Sequence, residues 1–192
     1  MEQEKTEAKK VNEKKAYTEW LKEDYRNIIE SLGLSEMQQH FLRSRWLDQV
    51  LWMEGRANSA QWYYYRLRLA TIIGGILIPA IVSLDLGGLT GSIFRYLSII
   101  IGLIVAISAA LEQFFNYGER WRHYRRTVET LKMEGWKFFQ LSDNYENYKN
   151  HPDAYPAFAK LVENVIQRDV EVFITEVVKE KKEKDEQPGA NQ

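Results

Sequence analysis

LATIIGGILIPAIVSL, Leu69 to Leu84, and YLSIIIGLIVAISAAL, Tyr96 to Leu111, decide the fold. Neither stretch carries a charge, and each is 16 residues long. As α-helix each uncharged run measures about 24 Å at 1.5 Å per residue. A bilayer core is roughly 30 Å thick, and the flanking residues extend both runs toward that length. Trp62 and Tyr63 to Tyr65 precede the first, and Phe114, Phe115 and Tyr117 follow the second. Aromatic rings favour the membrane–water boundary, so these flanks read as a belt on one side. The expectation is two membrane spans, at about 67–86 and 93–115.

Between the runs lies DLGGLTGS, Asp85 to Ser92, a glycine-rich segment too short to fold alone. The spans therefore form a tight antiparallel hairpin over 67–115. Arginines set its direction. Arg56, Arg66 and Arg68 precede the first span, Arg120, Arg122, Arg125 and Arg126 follow the second, and only Arg95 sits on the connecting side. The positive-inside bias places both termini in the cytoplasm. Pro79 interrupts the first run, and Gly74–Gly75 softens the turn before it, so a kink is expected there.

Outward from the spans the chain reads as helical stems, 17–66 and 116–184. Ser35 and Gln38 form a capping box that opens a helix with Leu42, Trp46, Val50, Met53 and Ala57 along one face. An earlier short helix ends at Gly33. Beyond the second span, which is expected to continue into its stem, Tyr117, Trp121, Tyr124, Val128, Leu131, Gly135 and Phe138 recur four and three residues apart, a seam for helix-on-helix packing. SDNYENYKNHPDAYP, with Pro152 and Pro156, breaks that pattern. A last helix then presents Ala159, Val162, Ile166, Val170, Phe173 and Val177 on one face. Residues 1–16 and 185–192 read as charged, disordered tails, and the first of these has no secretory-signal pattern. The fold class is an all-α membrane protein, a two-span hairpin on a cytoplasmic helical bundle.

The chemistry-bearing inventory is thin. Cysteine is absent and the formal net charge is −1, which excludes thiolate metal sites and gives no basic surface for nucleic acid. His40, His123 and His151 stand far apart without metal-ligand spacing, and no phosphate loop or nucleophile motif occurs. An enzyme is the least supported reading, and no metal or cofactor is expected. WRHYRR, with Arg120, Arg122, Arg125 and Arg126 in and beside it, is a basic group that can face lipid headgroups.

At 100° per residue the second span sorts into three strips. Ile99, Ile100, Leu103, Ile104, Ile107 and Leu111 make a bulky, lipid-compatible face. Ser98, Gly102, Ala106 and Ala109 make a narrow strip of small residues, which lets helices approach closely in a bilayer. Beside it run Ile101, Val105, Ser108, Glu112 and Asn116; with Ser98 these are the expected pore-lining residues. Helix packing is expected at Gly75 and Pro79 of the first span and at Gly102, Ala106 and Ala109 of the second. In a homo-oligomer Ile101 and Val105 could form an apolar constriction, and Glu112 a ring of carboxylates that draws inorganic cations. As an interfacial residue, Glu112 needs no function.

The run WRHYRRTVETLKMEGWKFF, Trp121 to Phe139, resembles the W-x-x-Y-R-x-T-x-E-x-L-x-x-E pattern of a bacterial two-span family of unknown function, with matches at Trp121, Tyr124, Arg125, Thr127, Glu129, Leu131 and Glu134. RANSAQWYYYRLRLA, Arg56 to Ala70, is similar to that family's approach to its first span, and the resemblance extends over Leu42 to Val178. The family is similar to the SLATT group, two-span domains associated with nucleotide-sensing modules in bacterial conflict systems. The resemblance implies a membrane effector that acts by forming pores, here without a fused sensor domain. Two readings stay open: an oligomeric, cation-permeable channel of the bacterial inner membrane, and a membrane-anchored interaction protein whose spans only tether a partner-binding bundle.

Overall fold

The computed structural model describes residues 19–84 and 88–185, without the side chains of Leu89 and of residues 172–185. The N-terminal tail expected at 1–16, all of the C-terminal tail but Asp185, and residues 85–87 of the expected turn lie outside the described residues. Among the described residues every regular element is helical. Helix α1 covers 19–31, α2 is Glu36–Phe41, a π-helical turn spans Leu42–Leu47, and α3 is Asp48–Val82. Helix α4 is Gly88–Phe115, α5 is Tyr117–Phe139, a 3-10 turn covers Asp143–Tyr145, and α6 is His151–Asp185. Two compact units divide the chain, one holding residues 19–52 and 127–185, the other 53–126.

The first unit is a helical bundle. Gly33, at φ +64°, ends the turn after α1, a conformation that costs glycine nothing. The expected capping box opens α2: Ser35 Oγ accepts from the Gln38 amide at 3.4 Å, and the Gln38 side chain accepts from the Ser35 amide at 2.9 Å. Of the expected stripe, Leu42, Trp46 and Val50 are buried here, and Met53 and Ala57, which belong to the second unit, are buried too. Leu47 is buried beside its neighbour Trp46, and both lie in the π-helical turn, whose wider winding sets adjacent side chains closer in direction than an α-turn does.

Trp46 occupies the centre of this core. Its indole donates to the Leu131 carbonyl at 2.9 Å, and its ring meets Tyr25 and Phe139 edge-on, both at 5.4 Å between centroids. Gly135 lies so close to the indole that an added Cβ would collide with it. Phe138 stacks on Phe158 at 4.4 Å. Along α5 the expected seam is buried at Val128, Leu131, Gly135 and Phe138.

The connection to α6 is tighter than the sequence suggests. Leu141 and Asp143 take positive φ, +47° and +55°, and Lys137 holds the turn by reaching Asp143 at 2.7 Å and Glu134 at 3.0 Å. Those two carboxylates raise the pKa of Lys137. Pro152 and Pro156 do not precede the last helix; both lie inside α6. Pro152 falls in the first turn, where the missing N–H has no helical partner to lose. The buried face of α6 is correspondingly earlier than expected, running through Ala154, Phe158, Val162 and Ile166, while Ala159 is half-buried and Val170 is exposed. Phe173 and Val177 belong to the stretch whose side chains are not described.

Candidate functional site: the two apolar helices and their aromatic end

In the second unit α3 and α4 are each long and apolar enough to cross a membrane. Only 6% of the residues in the most apolar window of either one are buried, so these are not core helices of a folded interior. Ile72, Ile73, Ile76 and Leu77 stand exposed on α3, and Ile99, Ile100, Leu103, Ile104, Ile107 and Leu111 on α4. The latter six are the bulky face expected from the periodicity.

Polar side chains within these two helices turn back on their own backbone. Thr71 donates to the Leu67 carbonyl at 3.0 Å, Ser83 to Pro79 at 2.7 Å and Ser98 to Arg95 at 2.8 Å. Each hydroxyl is thereby satisfied without water, as an apolar medium requires. Helix α3 runs from Asp48 to Val82 with Pro79 inside it. The connecting segment is shorter than Asp85 to Ser92, because α4 already begins at Gly88, whose φ of +70° suits glycine.

The face that α4 turns toward α3 is the one read as pore-lining. A Cβ on Gly74 would run into Val105 and come within 3.3 Å of Ile101. Ser108, one turn further along, is buried, and Ser98, Glu112 and Asn116 are half-buried on the same side. The close approach thus falls at Gly74. Gly75, one residue on, meets nothing within 4 Å, and Pro79 is exposed. Of the strip of small residues, Gly102 is half-buried, 3.8 Å from Ile78, whereas Ala106 and Ala109 are exposed. The sequence shows Gly74 only as a glycine in an apolar run; which side chains it meets depends on how the two helices are rotated against each other.

Helix α4 does not continue into α5. Asn116 breaks the path with φ +49°, its amide bonded to the Glu112 carbonyl at 3.0 Å and its own carbonyl accepting from Glu119 and Arg120, both at 3.1 Å. The expectation of one uninterrupted second stem is corrected here. Asparagine is the non-glycine residue that best tolerates the left-handed region, and it both closes one helix and opens the next. Glu112 lies one turn before this joint.

Around the joint the rings gather. Tyr63 stacks on Tyr117 at 5.1 Å, Tyr64 on Trp121 at 6.1 Å, and Tyr65 lies 5.7 Å from Trp121. Gly118 makes room for this, since a Cβ there would come within 2.9 Å of the Tyr64 ring. Arg66 sits over Trp62 at 4.3 Å from its centroid. Within the basic group Arg120, Arg122, Arg125 and Arg126 are exposed, but Arg125 bonds Glu54 at 2.7 Å and so ties α5 to α3. The sequence reading missed that pair because its partners are separated by 71 positions. Among the described residues no cluster of His, Asp or Glu could hold a metal ion.

No curated protein and no solved structure matches the chain. The model of the family described as "Protein of unknown function (DUF4231)" matches residues 48–153, from the start of α3 into the first turn of α6. More than half of the sequence is covered by that match, and the chain belongs to the DUF4231 family.

Proposed function

We propose that this protein is a two-span membrane protein whose hairpins assemble into a homo-oligomeric, cation-permeable channel. The observation that carries the membrane part is the exposed aliphatic surface of α3 and α4. Soluble proteins rarely leave contiguous apolar patches of more than a few hundred Å² in water, and a bilayer covers such a surface completely. The direction of insertion follows from Arg66, Arg68, Arg120 and Arg122 at the aromatic end, which puts both termini in the cytoplasm. The resemblance of Trp121 to Phe139 to a two-span bacterial pattern akin to the SLATT group implies pore formation in a bacterial inner membrane.

In the channel, Glu112 lies at the cytoplasmic mouth and draws cations, as rings of carboxylates do. The small side chains of Ala106 and Ala109 leave α4 open to close approach by a neighbouring hairpin. A specific observation also favours the second reading. Ile101 and Val105 are taken up against Gly74 inside the hairpin, so a subunit satisfies this strip without a pore. In that reading the spans tether the helical bundle, and the bundle binds a partner.

Cation flux from liposomes holding the purified full chain separates the two. The channel reading expects flux whose cation preference falls in Glu112→Gln. A dimer in detergent, with no flux above empty liposomes, leaves the tether.

A further inference from the structure

We infer that the aromatic end of the hairpin is a binding surface for anionic phospholipid headgroups, built jointly by α3 and α5; the inference rests on the membrane reading above. Residues 62–70 and 112–126 carry six arginines, Arg66, Arg68, Arg120, Arg122, Arg125 and Arg126, against Glu112 and Glu119. Arg125 is matched within the unit by Glu54, and the excess remains strongly positive without it. Arg68, Arg120 and Arg122 are exposed, and Glu119 is the exposed acid among them.

Charge alone would give topology but no site. Here geometry is fixed as well. The Trp62 ring holds the Arg66 guanidinium, and the stacked pairs Tyr63–Tyr117 and Tyr64–Trp121 lock α3 to α5 at this level. Arginines of two helices are therefore presented at one braced level of the hairpin. Aromatic rings favour the depth of the glycerol and headgroup region. A guanidinium at that depth meets the lipid phosphate, to which it can bond through two N–H groups at once. A zwitterionic headgroup cancels its phosphate with its own cation; an anionic one does not. The occupant is an anionic phospholipid, selected over a zwitterionic one by charge.

Tryptophan quenching by brominated lipids tests this with the full chain. It is reconstituted in zwitterionic phosphatidylcholine vesicles, doped at equal mole fraction with brominated phosphatidylcholine or brominated phosphatidylglycerol. Quenching by the brominated phosphatidylcholine reports insertion. Stronger quenching by the anionic lipid reports the site, with enrichment falling by about fivefold for each contributing arginine removed at low salt. The combined Arg68→Gln, Arg120→Gln and Arg122→Gln variant should bring the two lipids to equality while the phosphatidylcholine signal stays. Glu119→Gln should raise the enrichment.

Equal quenching by both lipids in the unaltered chain overturns the inference and leaves the membrane reading standing. So does an equal loss of enrichment when Lys22, Arg26 and Lys149 are changed to Gln instead. Displacement of the anionic lipid by millimolar glycerol phosphate would make the occupant a free phosphate. Quenching by neither lipid removes the membrane reading itself.

Discussion

Trp46 and Gly135 fit so closely that the indole passes where any Cβ on residue 135 would stand. The same ring donates to the Leu131 carbonyl one turn earlier on α5. A glycine inside a helix normally weakens it by about 1 kcal/mol relative to alanine. Here the missing methyl lets the largest side chain of the core come close to the α5 backbone.

That fit predicts the sign of a substitution usually counted as helix-favouring. Gly135→Ala should destabilise the protein by about 1–3 kcal/mol, the range for overpacking, despite its better helix propensity. Trp46→Phe should cost a comparable amount through lost volume and a lost hydrogen bond. The double change Gly135→Ala with Trp46→Phe should cost less than the sum, because the smaller ring vacates the methyl's position. Thermal unfolding of the four proteins in one detergent checks this. Strict additivity would separate the two residues.

Between α3 and α4, neighbouring glycines should behave differently. Gly74→Leu forces α4 away from α3 at Val105 and Ile101 and should lower the thermal midpoint clearly. Gly75→Leu enters open space and should change it little. A cysteine pair at positions 74 and 105 should cross-link within one chain. Equal damage from both leucine variants would mean that α3 is rotated from the orientation described.

Acid should act partly through Glu163. Arg45 contacts it at 2.8 and 2.9 Å through two nitrogens, which holds the Glu163 carboxyl below its ordinary pKa and raises that of Arg45. The folded pKa is the lower one, so this stabilisation is present above the unfolded value near pH 4.5 and is lost as pH falls through the folded value. Both side chains are nearly half exposed, which limits the effect to about 1 kcal/mol or less. Glu163→Gln should lower the midpoint at pH 7 and become indistinguishable from the unaltered chain at strongly acid pH. A gap that persists there would assign the loss to packing.

Alkali should act through Tyr145. Burial, and next the Glu134 charge, push its phenol up to about 12. The folded pKa is here the higher one, so its stabilisation is full below about pH 10 and is lost as pH rises through about 12. Its hydroxyl has no hydrogen-bond partner among the described residues. Tyr145→Phe should therefore leave stability at pH 7 within about 1 kcal/mol and flatten the alkaline decline. Phenolate absorbance during a pH titration, compared between the two proteins, gives the pKa directly.

The regular parts of this fold were legible because they rest on period and charge. The stripe from Leu42 to Ala57 and the outward face of Ile99 to Leu111 follow from helical spacing, and the Ser35–Gln38 cap from local chemistry. What escaped are places where one residue departs from the period. The π-helical turn at Leu42–Leu47 adds a residue that no fixed spacing anticipates. Asn116 ends a helix in the middle of an unbroken apolar-to-amphipathic pattern. The facing of Gly74 on Val105 depends on the relative rotation of two helices, which neither helix's own sequence contains. The ring and arginine cluster was visible as composition; its pairings, Arg66 on Trp62 and Arg125 with Glu54, needed three dimensions.

Asn116 has a mechanical consequence. An α-helix transmits torque because each residue is bonded to the fourth before it; a single left-handed residue interrupts that shaft while leaving the chain continuous. The directions of α4 and α5 are therefore set by the dihedral angles of this one residue and not by a continuous helix. Substituting a β-branched residue there, poorly suited to positive φ, would shift the angle between the two helices.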